Sequence, residues 1–195
     1  MTSKKYLLII LVIFLNKSNA QDLSPSAESK LTYFVSLNYG IQMSGIKDED
    51  FIISNYSPLF NIAVGKWMTP YLALQIGYKG FYFYTIADEI KHHYNYFYSE
   101  AVINFIEFVD PSRINKNWNL LLHGGPGYFY NHVYGRAGFH LNLGIQNTIQ
   151  LSDQIHASID VASIVGWDIY QGDEDILPGI TIGVTYFFNN VKEKE

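Results

Sequence analysis

Between Gly138 and Gln150 the chain reads GFHLNLGIQNTIQ, and two sets of residues interleave there. Phe139, Leu141, Leu143 and Ile145 form one set; Gly138, His140, Asn142, Gly144 and Gln146 form the other. Side chains on a strand point to opposite sides in turn, so this period predicts a β-strand with one greasy and one polar face. A helix would repeat apolar residues at i, i+3, i+4 and i+7, and no stretch keeps that pattern convincingly. Helices therefore have little place in the reading.

The same alternation marks eight strands, at 31–41, 57–67, 71–84, 94–108, 117–125, 136–151, 154–166 and 179–188. MTP and SD make tight turns after the second and sixth strands, with the Pro and Asp chemistry that turns use. Longer connections at 42–56, 85–93, 126–135 and 167–178 alternate with them. Turns at one rim and loops at the other are the pattern of an all-β, eight-stranded antiparallel up-and-down barrel. Strands of about ten residues suit a tilted membrane crossing. DPSRINKN, between strands four and five, is longer than its place in this scheme requires.

The period alone does not say which face looks inward. In register, the polar set collects Gln75, Lys79, Glu100, Asn104, His123, His140, Asn142, His156, Ser158 and Asp160, with Ser36, Asn38 and Gln146. A face washed by bulk water would carry many Lys and Glu. This one is mostly small or neutral, which suits a crowded interior whose side chains pair with one another. Its few ions need partners there, because an unpaired buried charge is costly. The other set runs through Leu122, Leu143, Ile145, Ile159, Val161, Ile182 and Val184. Trp67, Tyr71, Trp118, Trp167, Tyr186 and Phe188 stand near strand ends, as in the aromatic girdles of membrane barrels. This assigns the greasy face to lipid and makes the barrel transmembrane. A soluble periplasmic, lipocalin-like barrel with the apolar set inside, binding an apolar ligand, has the same period.

The first twenty residues read as a cleaved secretory signal: Lys4 and Lys5, an apolar run at 6–15, then Ser18 and Ala20 at the cleavage site. The run is too short to cross a bilayer as a helix. The barrel domain is then 21–195. The chain has no cysteine, which excludes disulfides, thiol chemistry and a lipidated first mature Cys. A net charge of −5 offers no basic patch for nucleic acid.

Three groupings could carry chemistry. His156, Ser158 and Asp160 share one strand face, but alternate residues lie about 6.6 Å apart, whereas a nucleophile–base–acid set needs contacts near 3 Å. The reading is a polar packing network, with a lipid-modifying outer-membrane enzyme as the alternative. Asp88, Glu89, His92 and His93, and separately DEDI at 173–176, could attract a divalent ion, but neither spacing is a ligand motif. Gly124, Gly125 and Gly127 lead into no helix that could supply phosphate-binding amides, and read as a strand bend or bulge. No catalytic residue, metal ligand or cofactor is expected.

HHYNYFYSEAVINFIEF (92–108), the turn DPSRINKNWNL (110–120) and HGGPGYFY (123–130) occur here in one order. In that order they resemble the OmpA-type eight-stranded outer-membrane barrel in the form common among Bacteroidota. The long turn is then expected. TYFFNN (185–190) resembles the aromatic-ended last strand read by the barrel-assembly machinery. The resemblance implies outer-membrane lipids as surroundings, and periplasmic chaperones and that machinery as partners in biogenesis. It implies a structural or surface-interacting role without a wide pore. Many such proteins add a domain that grips peptidoglycan; the 195 residues leave none for it, so that tethering is not implied. Oligomeric state and the targets of the outer loops have no signal in the sequence.

Overall fold

The computed structural model describes residues 33–44, 56–84, 91–112, 117–167, 169 and 174–188. The expected signal segment, Asp88, Glu89 and Asp173 lie outside them, as do the side chains of Glu174 and Asp175. The strands are β1 (Tyr33–Met43), β2 (Tyr56–Trp67), β3 (Leu72–Tyr84), β4 (Lys91–Asn104), β5 (Trp118–Asn131), β6 (Arg136–Gln150), β7 (Ile155–Trp167) and β8 (Glu174–Phe188). Each pairs antiparallel with the next, and β8 returns to β1 from Tyr33↔Phe188 to Gln42↔Gly179, closing an up-and-down barrel.

One rim, here the terminal rim, carries the start of β1 and the end of β8. Two of its three connections are tight: Met68 N–H donates to the Leu72 carbonyl at 2.8 Å, and Leu151 N–H to that of Ile155 at 2.9 Å. Thr69 and Ser152 hydroxyls accept from Leu72 and Ile155 N–H, the turn chemistry expected of hydroxyl side chains. The opposite, distal rim holds the ends joined through 44–55, 85–90, 132–135 and 168–173.

Strands β4 and β8 begin at Lys91 and Glu174, inside segments that read as loops, and two further boundaries change the path of the chain. Strand β4 stops at Asn104, and Phe105–Val109 form a short helix, α1. The Asn104 side chain accepts from Glu107 N–H at 3.2 Å and caps it, so the chain turns out of the sheet before Phe108. Strand β5 runs to Asn131, through Pro126 and Gly127, which read as the start of a loop. Its register with β6 is unbroken from Trp118↔Ile149 to Asn131↔Arg136, so there is no bulge between these strands. The distal turn there is only 132–135, with Gly135 left-handed at φ +60°.

The apolar set lies on the outside. Phe139 is 80% exposed, Ile182 67% and Ile76 60%, and Leu143, Ile145, Ile159 and Val161 are also exposed. The residues that alternate with them are buried inside. A barrel with this wall is greasy outside and polar within, the inverse of a lipocalin.

Candidate functional site in the barrel interior

At mid-height, ions and amides from five strands, β3 to β7, meet. His123 on β5 places Nδ1 3.0 Å from Glu100 on β4 and Nε2 3.0 Å from Asp160 on β7. With both carboxylates ionised, the ring donates from both nitrogens and is an imidazolium. Glu100 also accepts from Gln75 Nε2 at 2.8 Å and from Asn142 Nδ2. The Asn142 carbonyl oxygen in turn accepts from Lys79 Nζ at 2.9 Å. Two cations thus face two carboxylates, which answers the demand that buried charges be paired. Ser158 donates to Asn38 at 3.2 Å, and Ser36 and Thr185 bond hydroxyl to hydroxyl at 2.8 Å.

The distal half is filled by rings. Tyr94 stacks on Phe129 with centroids 4.9 Å apart, Phe83 stacks on His92 at 5.2 Å, and Phe129 meets His140 at 5.4 Å. Most of their polar atoms are answered inside: Tyr94 Oη donates to Gln42 at 2.7 Å, Tyr98 Oη to Asn61 at 2.6 Å, and His140 Nε2 lies 2.7 Å from the Trp167 carbonyl, whereas His140 Nδ1 has no partner among the described residues. Solvent scarcely reaches Phe83, Tyr94, Tyr96 or Phe129. Sequence reasoning missed this plug. The available signal was phase, since Tyr94, Tyr96 and Tyr98 alternate in step with Glu100, already placed on the inner face.

The glycines supply space rather than flexibility. A Cβ on Gly127 would run into the Tyr96 ring, and one on Gly125 would meet the Ser99 carbonyl and Glu100 backbone. This replaces the bend or bulge reading of 124–127 with close approach.

The ten polar residues named from the sequence all point inward, yet they do not form one cluster. Gln75, Lys79, Glu100, His123, Asn142 and Asp160 join the central network. Asn104 caps α1 and donates to Asn119 at 3.1 Å. His140 lies among the distal rings and Ser158 near the β1 seam. His156 lies near the terminal mouth, its ring 4.5 Å from that of Phe187. His156, Ser158 and Asp160 therefore turn to different partners, with no hydrogen bond among the three. His92 and His93 fall on opposite faces of β4: His92 is buried inside and His93 is exposed. Among the described residues no group of three His or carboxylates could hold a metal ion.

Of the six girdle aromatics, Trp118, Trp167, Tyr186 and Phe188 project outward at the rims. Tyr71 lies in the β2–β3 turn with its ring 5.7 Å from Phe108. Trp67 is a correction. In register with Ala73 it faces inward, and its ring packs 6.4 Å from Phe34 inside the terminal mouth.

No family model matches the chain, and no characterised protein matches it by sequence. Its fold does match solved structures. The crystal structure of Neisserial surface protein A aligns with TM-score 0.53 at 10% identity, covering 80% of this chain and 97% of that one. The crystal structure of Ail, the attachment invasion locus protein of Yersinia pestis, aligns with TM-score 0.52 at 12% identity, covering 82% and 99%. At such identities the likeness is one of fold, and it places this chain among small, closed, eight-stranded antiparallel barrels with an up-and-down topology.

Proposed function

We propose that this chain is an integral outer-membrane β-barrel of the small OmpA type, exported through a cleaved signal, with a structural or surface-interacting role and no catalysis. The observation that carries the reading is the outer wall. Between Lys66 near the terminal rim and Lys91 near the distal rim, the described outward residues carry no charge, and most are exposed aliphatics or aromatics. A soluble monomer rarely exposes a contiguous apolar patch beyond a few hundred Å². Hydrocarbon is the solvent in which this wall is stable, and a closed barrel leaves no unpaired sheet edge inside it. Strands of 11–15 residues are long enough to cross with tilt.

The terminal rim then faces the periplasm and the distal rim the outside, so the ring plug closes the barrel from the outside. The names of the two solved barrels, a surface protein and an attachment protein, support a role at the cell surface. Outer-membrane lipids surround the wall, and periplasmic chaperones and the barrel-assembly machinery deliver it.

The test is fractionation after native secretion with an alkaline carbonate wash. Retention in the washed outer membrane is the expected result. Release into the soluble fraction overturns the reading.

A further inference from the structure

Below the ionic network, toward the terminal rim, the interior is not filled. A cavity of about 310 Å³ occupies it, near the lower end of the volumes that hold small molecules. Its two sides differ in chemistry. Phe34, Trp67 and Phe187, from β1, β2 and β8, form one side; Trp67 and Phe187 lie 6.4 and 5.9 Å from Phe34, centroid to centroid. Across the lumen, β6 supplies Gln146, Thr148 and Gln150, and β7 adds His156 beside Phe187. Elsewhere among the described residues most inward polar side chains are paired with one another, and the buried exceptions are single atoms of Ser57, His140, Ser163 and Thr181. Here Gln146, Thr148 and His156 make no side-chain hydrogen bond to any described residue, so their donors and acceptors are left for whatever occupies the cavity.

We propose that this cavity is a glycan-binding site that takes a short neutral oligosaccharide from the periplasmic side. A sugar ring presents a flat face of C–H groups and a rim of hydroxyls. The aromatic side suits the first, and the amides, hydroxyl and imidazole opposite suit the second. An anionic ligand is disfavoured, because the lining offers no lysine or arginine and includes Glu107. A fatty chain is disfavoured because it would leave the polar groups of β6 and β7 buried and unpaired. The ring plug above closes off approach from the distal rim, so access is through the terminal mouth.

The experiment uses the full mature chain in dimyristoylphosphatidylcholine nanodiscs, which contain no sugar headgroup. Trp118→Phe and Trp167→Phe leave Trp67 as the only indole, and its emission is followed during titration with chitobiose or maltose. A saturable change in the millimolar range or tighter is expected for at least one sugar. Gln146→Leu with Thr148→Val should weaken it about tenfold or more, a difference of about 1.4 kcal/mol. Isothermal titration of the unsubstituted protein gives the same reading should the variants fail to fold. No saturable response to either sugar, an undiminished response in the β6 variant, or tighter binding of octanoate overturns the proposal. It rests on the outer-membrane reading only for the side from which the sugar arrives. Chitobiose binding by a protein that washes off membranes would sink that reading and leave the site.

Discussion

His123 on β5 and Asp160 on β7 are bonded at 3.0 Å although their strands never pair. The strand between them, β6, carries Gly144 at that level, and a Cβ there would collide with the His123 imidazole. The missing side chain is what lets the bond cross the lumen.

Gly144→Val should therefore push His123 off Asp160 and cost more than ordinary overpacking of about 1–3 kcal/mol. His123→Ala, which strands two carboxylates, should cost about 3–5 kcal/mol. His123→Gln should cost less, because an amide can still donate to one of them. Urea unfolding in phosphatidylcholine vesicles measures all three. A Gly144→Val barrel as stable as the parent would show that the crossing bond does not hold the lumen together.

On the outer wall, Leu143→Arg and Ile182→Arg place a cation at mid-height. If hydrocarbon surrounds them, each should destabilise the barrel by about 2–4 kcal/mol in vesicles, while Lys66→Arg near the rim should cost about 0–1 kcal/mol. Equal, small effects at all three positions would point to water outside.

Tyr94, Tyr96 and Phe129 close the distal half, so the unsubstituted barrel should show no steady conductance in planar bilayers. Phe129→Ala removes the centre of the stack and should cost about 3–5 kcal/mol. In the fraction that folds, discrete openings are expected. A large, steady conductance in the parent protein would contradict the plug.

Trp67 and Trp118 should answer differently to brominated acyl chains. Trp118, exposed on the outer wall, should be quenched strongly, whereas Trp67, inside the terminal mouth, should be nearly unaffected. Single-tryptophan variants in brominated phosphatidylcholine separate the two. Equal quenching would return Trp67 to the girdle.

These four tests follow the division between what alternation reveals and what it hides. A period of two is a property of the backbone, so Phe139 to Ile145 disclosed both the strand and its two faces. The sparse charge of the polar set then indicated which face was crowded. Glycine and proline obscured β5. Pro126 lacks an N–H, and the β4–β5 ladder lapses across Ser99 and Glu100, but the β5–β6 ladder passes it intact at Pro126↔Leu141. PGYFY thus reads as a loop locally and is held as a strand by its neighbour. The short helix had a signal that went unused: Asn104 followed by Glu107 is a capping pattern ahead of Phe108 and Val109. Trp67 was assigned by residue type near a strand end, whereas its parity with Ala63 and Asn61 placed it inside. The cavity was not legible at all, since alternation says which way Gln146 points and nothing about how much room lies in front of it.

The seam between β1 and β8 has a further meaning. Seven of the eight strand interfaces join neighbours in the chain, but the eighth joins Ser36 to Thr185, 149 residues apart. Closing that loop carries an entropic cost no hairpin bears, and only the final strand offers anything in return. Until Phe188 has been delivered, β1 waits with a bare edge, a template for any other strand that passes. The last of the eight strands to be made therefore decides whether the first is covered, and every delay between the two prolongs that exposure.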